Sequence, residues 1–197
     1  MIWSLRVRRV GLLTSVLTAY VAVLWAVGEA SLPLPSFLSG MAFLVPVADI
    51  LPLGLAVAVL FAIDNDDSRL ARLASRPMWL LDSGYILAVV ILAVGASAAL
   101  AAIGLQPHGY AAGRNLVGFV GLSLVLRAAV GGRAASGLVT AFVVVSLMFG
   151  AGSGGLHPWA WPLAPADDAA VAFGVAVLMI IGLASLPVQR ARLVISQ

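Results

Sequence analysis

Long apolar runs broken by short polar segments set the pattern of this chain. Six runs, at residues 10–28, 41–63, 83–105, 116–132, 134–151 and 169–186, read as spanning helices. A helix rises about 1.5 Å per residue, so crossing roughly 30 Å of hydrocarbon takes about 20 apolar residues. The runs at 83–105 and 169–186 carry no charge, whereas Arg127 interrupts the run at 116–132 and makes it the weakest. Only Gly131-Gly132-Arg133 separates the fourth run from the fifth, which predicts a tight turn between antiparallel neighbours. The expected fold is a single all-α domain over residues 1–197, a polytopic bundle of six transmembrane helices.

Composition agrees with this pattern. Apolar residues make up 62% of the chain and charged residues only 10%, against roughly 25% charged in ordinary soluble domains. One aqueous core of this size cannot hide so much apolar surface. The first run follows Arg6, Arg8 and Arg9, as a signal peptide would. It is longer than the roughly 7–15 apolar residues of a secretory signal and is read as a retained span.

All eleven basic residues are arginine, and their placement orients the bundle. With the N-terminus inside, Arg6, Arg8, Arg9, Arg69, Arg72, Arg76, Arg133, Arg190 and Arg192 fall on the cytoplasmic side, Arg127 lies toward it, and Arg114 alone falls outside. That is the positive-inside bias, and it predicts both ends in the cytoplasm. Trp3 and Trp79 then fall at the inner interface and Trp25, Trp159 and Trp161 at the outer one, where aromatic rings are enriched. Tyr20 is the exception, deep in the first span. The basic pI reflects this sorting and implies no nucleic-acid partner.

The absent residue types limit the chemistry. Without Cys there is no disulfide, thiolate nucleophile or Cys-bound metal, and without Lys there is neither a P-loop lysine nor a Schiff base. His108 and His157 are the only imidazoles, too few for a His-rich metal site. Ser153, in Gly150-Ala151-Gly152-Ser153-Gly154, lies four residues before His157, a superficial likeness to rhomboid proteases. Ala151 stands where their pattern has glycine, and the histidine belongs on a later helix, so a flexible Gly/Ser turn is the preferred reading. No catalytic residue, cofactor or metal is expected.

The connections carry more information. Residues 29–40, with Pro33 and Pro35, should be extended. Residues 106–115 read as a short polar turn. The segment from Gly152 to Asp168, with two Trp and three Pro, is too apolar for a free aqueous loop; it lies in the outer interface or dips back into the membrane. Asp167 and Asp168 suit the N-terminus of the last helix. On the inner side, Asp66 or Asp67 can cap a short helix that Pro77 ends, with Leu70 and Leu73 on one face and Arg69, Arg72 and Arg76 on another. That basic amphipathic helix either rests on anionic lipid or docks a cytoplasmic partner.

Two ionisable groups lie within spans, where charge is costly and points to function. Asp49 sits between Pro46 and Pro52, which should kink or break its helix. It is either a structural buried carboxyl or part of a polar translocation path. Arg127 either snorkels toward the cytoplasmic face or pairs with Asp49.

Three stretches resemble small actinobacterial membrane proteins found beside ABC transporter ATPases: LASRPMWLLD at 73–82, GRNLVGFVGL at 113–122 and HPWAWPL at 157–163. The resemblance implies the membrane subunit of an ABC-2-like exporter in the bacterial plasma membrane, with six helices, dimerising with a like or unlike subunit and driven by a separate cytoplasmic ATPase. It implies a coupling helix at Leu70 to Arg76 and re-entrant structure between the fifth and sixth spans. The short N-terminus departs from that group, leaving little room for its usual amphipathic leading helix. A non-transporting assembly or immunity protein is the alternative. Sparse intramembrane charge favours a hydrophobic substrate.

Overall fold

The computed structural model describes residues 10–35, 37, 42–64, 78–152 and 155–195. Within them the elements run α1 (Val10–Val27), β1 (Ser31–Pro35), β2 (Ala42–Pro46), α2 (Val47–Ile50), α3 (Pro52–Asp64), α4 (Met78–Ala102), α5 (Gly109–Val130), α6 (Gly132–Phe149), β3 (Ala151–Gly152), β4 (Gly155–Leu156), a 3-10 turn (Trp161–Leu163) and α7 (Ala169–Ile195). The chain is mostly helical, and α4 to α7 each contain a stretch long and apolar enough to cross a membrane. The apolar helices at 13–27 and 47–63 are shorter.

The run at 41–63 is not one helix. Its first five residues form β2, which pairs antiparallel with β1, Leu32 opposite Val45 and Leu34 opposite Phe43. Proline explains the switch: a residue before proline is steered out of the helical region, and Pro33, Pro35 and Pro46 so constrain Leu32, Leu34 and Val45 toward extended backbone. The helix then starts at Val47 and bends at Leu51-Pro52, where Pro52 has no N–H to donate. The expected break around Asp49 is therefore present, with the whole entrance to this span reshaped into a hairpin.

Other boundaries move for physical reasons. The turn expected at 106–115 shrinks to 103–108, because α5 begins at Gly109. Helix α4 closes with Leu105 N–H on the Leu100 carbonyl at 3.0 Å and Gly104 N–H on Ala101 at 3.0 Å, with Gly104 at φ 76°. That double bond pattern needs a left-handed residue, which glycine supplies. The tight turn between the fourth and fifth helices is a single residue, Gly131 at φ 85°. Helix α7 continues through Pro187 to Ile195.

Helix α5 is the centre of the bundle, packing on α3, α4, α6 and α7. Its Leu116, Phe119, Val120 and Leu124 are fully covered. This accounts for its weak hydropathy: a helix surrounded by protein need not be apolar all round to avoid lipid. It crosses α7 closely, where a Cβ on Gly121 would lie 2.7 Å from the Met179 backbone nitrogen and one on Gly182 would lie 2.8 Å from the Gly121 carbonyl oxygen. Small residues at such crossings let backbones meet, as membrane helices require. The outward faces are bulky and apolar: Ile91 and Leu92 on α4 and Phe173, Ile180 and Ile181 on α7 are all exposed.

One end of the bundle is capped. The hairpin joins it through Val47 N–H on the Ala30 carbonyl at 3.0 Å and Phe37 N–H on Met148 at 3.1 Å. Phe37 also stacks on Phe149, with ring centroids 5.6 Å apart. Under this cap Val45, Ala160 and Leu163 form a small second core with Leu34, Phe43, Ile50 and Leu147 packed against it.

Candidate functional site

Three of the buried polar residues, Asp49, Arg114 and Asn115, gather beneath the capped end. Asn115 is fully covered, and Asp49 and Arg114 are only 7% and 8% exposed. Arg114 and Asn115 lie five and six residues into α5, about 8 Å below its first residue. The segment joining β4 to α7 dips to meet them. The Arg114 guanidinium donates to the backbone carbonyls of Pro165, Ala164 (2.8 Å) and Trp161 (3.4 Å), and its Nη2 also reaches Asn115 Oδ1 at 3.1 Å. The Asn115 amide donates to the Pro162 carbonyl at 2.8 Å and to the Asp49 carbonyl at 3.1 Å. Adjacent side chains on one helix therefore hold four carbonyls of the dipping segment and one of α2.

This satisfies groups that would otherwise be costly. Irregular backbone at membrane depth persists only where protein or water meets its hydrogen bonds. Bonds from a charged donor contribute about 1.5–3 kcal/mol each.

Trp161 anchors the segment from below. Its ring centroid lies 5.1 Å from that of Phe119 on α5 and 5.8 Å from that of Phe142 on α6. A Cβ on Gly118 would sit 2.4 Å from its Cη2 and 2.9 Å from Val175 Cγ1 on α7. The indole thus fills the space between three helices, and only glycine at 118 leaves room for it. Of the three Trp expected at the outer interface, Trp161 is packed between helices, while Trp25 and Trp159 are exposed.

Asp49 is the unbalanced member. Its main-chain carbonyl is held, but side-chain Oδ1 is buried with no hydrogen-bond partner. A buried acceptor left so costs about 1–3 kcal/mol, more if charged. Its electrostatic partner is Arg114, which also feels Asp168. Asp168 is committed elsewhere: its Oδ1 accepts from the Ala170 and Val171 N–H groups at 3.0 and 3.1 Å, capping α7 as its position predicts.

Two further polar links tie α1 into the bundle. Tyr20 shares a 2.9 Å hydrogen bond with Ser97, which explains a tyrosine so deep in the first helix. The Gln106 amide donates to the Leu24 carbonyl at 2.8 Å, satisfying an acceptor in the last turn of α1.

Of the residues expected to matter, Asp49 lies in this cluster. Arg127 is half-buried and twelve residues beyond Asn115 on α5, about 18 Å along the axis. Asp49 thus lies beside Arg114, far from the level of Arg127. Arg69, Leu70, Arg72, Leu73 and Arg76, together with Arg6, Arg8, Arg9, Trp3, Asp66, Asp67 and Ser153, lie outside the described residues. Among the described residues no group of three or more His, Asp or Glu is placed to hold a metal. The His157 ring stacks on Trp159 at 6.1 Å and abuts Gly152.

Arg114 and Asn115 are the members of this cluster that the sequence did not single out. Their polarity placed them in a turn. One signal did mark Arg114: it was the single arginine on the wrong side for the charge bias, so topology could not explain it.

Comparison with known proteins gives no match: no family model fits the chain, and no curated protein or solved structure is similar to it.

Proposed function

We propose that this chain is the membrane-spanning subunit of an ABC-type exporter, crossing the bacterial plasma membrane six times with both ends in the cytoplasm and driven by a separate ATPase. The observation that carries the reading is the segment between α6 and α7, which folds back into the bundle and is held there by Arg114 and Asn115. It occupies the position where the resemblance to ABC-2-like subunits implies re-entrant structure, and it closes the end that the arginine distribution assigns to the outside.

In this reading the ATPase engages Leu70 and Leu73, with Arg69, Arg72 and Arg76 meeting its acidic rim. The docking segment follows α3 in the sequence, and the other end of α3 leads to Pro52 and Asp49. A push on the inner side is thus delivered by one short helix to the polar cluster under the cap. The substrate is hydrophobic, and the subunit works as a dimer with a like or unlike copy. With no lysine in the chain, hydrolysis at a P-loop belongs to the partner.

The test is co-purification with the genomically adjacent ATPase from detergent. Apolar anchors dominate interface energy and rim charges contribute less. Leu73→Asp should therefore abolish both retention of the ATPase and its stimulated hydrolysis, while Arg69→Gln gives a milder, salt-dependent loss. If the parent chain retains no ATPase, or Leu73→Asp retains it equally, the exporter reading fails. The alternative, a non-transporting assembly or immunity protein whose basic segment rests on lipid, then takes its place; the commitment of Arg114 to backbone carbonyls suits such a static scaffold.

A further inference from the structure

The geometry points to a two-position latch at the capped end: Arg114 holds the dipping segment closed through its carbonyls, and Asp49 is the acceptor it takes when that segment lifts away. This goes beyond the exporter reading and does not depend on it, because it concerns only groups within the cap.

Four observations carry it. The closed form rests on donors from one guanidinium to Trp161, Ala164 and Pro165, reinforced by Asn115 on Pro162. Lifting the segment frees those donors together and leaves the guanidinium only Asn115 Oδ1, and a buried charge short of partners is disfavoured. Asp49 stands within electrostatic reach of Arg114, nine-tenths buried, with Oδ1 unpartnered. The closed form thus leaves an acceptor unmade, and the open form satisfies it with a charge-assisted bond. Asp168, the other nearby carboxylate, is already bonded to two N–H groups of α7. Asp49 also sits on a short helix between two proline-bordered breaks, so its side chain can shift without unwinding a long helix.

Opening therefore exchanges the carbonyl bonds for one carboxylate pair. Substitutions at the two residues must act in opposite directions. Arg114→Gln weakens the closed form. Asp49→Asn removes both the unmet carboxylate of the closed form and the ionic acceptor of the open one, and so favours closure.

The experiment uses the absence of native cysteine. Ala160 lies within the segment and is only 1% exposed while it is closed, so Ala160→Cys reports opening through its rate of labelling by a hydrophilic maleimide in detergent. Added to that background, Arg114→Gln should raise the rate about tenfold or more, the scale of losing charge-assisted bonds. Asp49→Asn should lower it several-fold, and Asp49→Glu should stay close to the parent. Amide exchange at Ala160, Leu163 and Ala164, measured without the cysteine, should rank the variants identically and covers the case in which the thiol itself disturbs packing. General destabilisation would raise the rate in both charge-removing variants. A rate for Asp49→Asn equal to or above the parent overturns the latch, as does an unchanged rate for Arg114→Gln.

Discussion

Trp161 shows how far one residue's role depends on its neighbours. As a tryptophan near a predicted outer boundary it reads as an interface anchor. Its indole instead lies between Phe119, Phe142 and the bare backbone of Gly118. The tertiary partner decided this, and no local pattern around HPWAWPL names Gly118. The pairing is testable. Gly118→Ala places a methyl on the ring and should lower stability by about 1–3 kcal/mol, the usual cost of overpacking. In a Trp161→Ala background most of that cost should vanish, because contacting residues couple. Thermal melts of the four proteins in detergent measure it; an equal cost in both backgrounds would remove Trp161 from this place. Asp49, by contrast, was legible as a special position from its flanking prolines. Its partner was not, since Arg114 was assigned to a turn and Arg127 looked equally reachable along a parallel helix.

At the scale of elements, hydropathy located all six helical regions but misjudged their ends and their rank. It extended the second run through β2, since Ala42–Pro46 is as apolar as the helix it precedes. Pro33, Pro35 and Pro46 carried the information that this stretch is extended, but strand pairing with Ser31–Pro35 is a long-range fact. It undervalued α5 because hydropathy measures suitability for lipid, and α5 touches mostly protein. Close crossing of α5 and α7 makes a contrast in glycine tolerance. Gly121→Ala drives a Cβ into the Met179 backbone, which cannot rotate aside, so α7 must shift and folded yield should fall sharply. Gly174→Ala, on the exposed face of the same α7, meets nothing within 4 Å and should be neutral or raise stability by about 0.5–1 kcal/mol through helix propensity. Size-exclusion profiles and melting temperatures of the two variants decide it. Similar behaviour of the pair would mean that α5 and α7 are not in backbone contact.

At the scale of the whole molecule, exposed faces and capped end belong to one arrangement. Ile91, Leu92, Phe173, Ile180 and Ile181 form broad apolar surface that water would not tolerate on an isolated soluble domain. A bilayer accommodates it. The described connections at 28–35, 42–46, 103–108, 150–152 and 155–168 collect at one end, held by hydrogen bonds to the helices. In the proposed topology that end lies outside, and Arg114, the exception to the arginine pattern, is a residue that holds it closed. Orientation remains an expectation drawn from the arginine pattern, while the cap was not legible in the sequence, because it is built from contacts between segments far apart in the chain. The direct measurement is single-cysteine labelling in intact cells with a membrane-impermeant maleimide. Leu105→Cys and Ala166→Cys, exposed at the capped end, should label without permeabilisation, and Ala134→Cys, exposed beside the Gly131 turn, only after it. Labelling of Ala134→Cys in intact cells, or protection of Leu105→Cys and Ala166→Cys there, would contradict the proposed membrane arrangement.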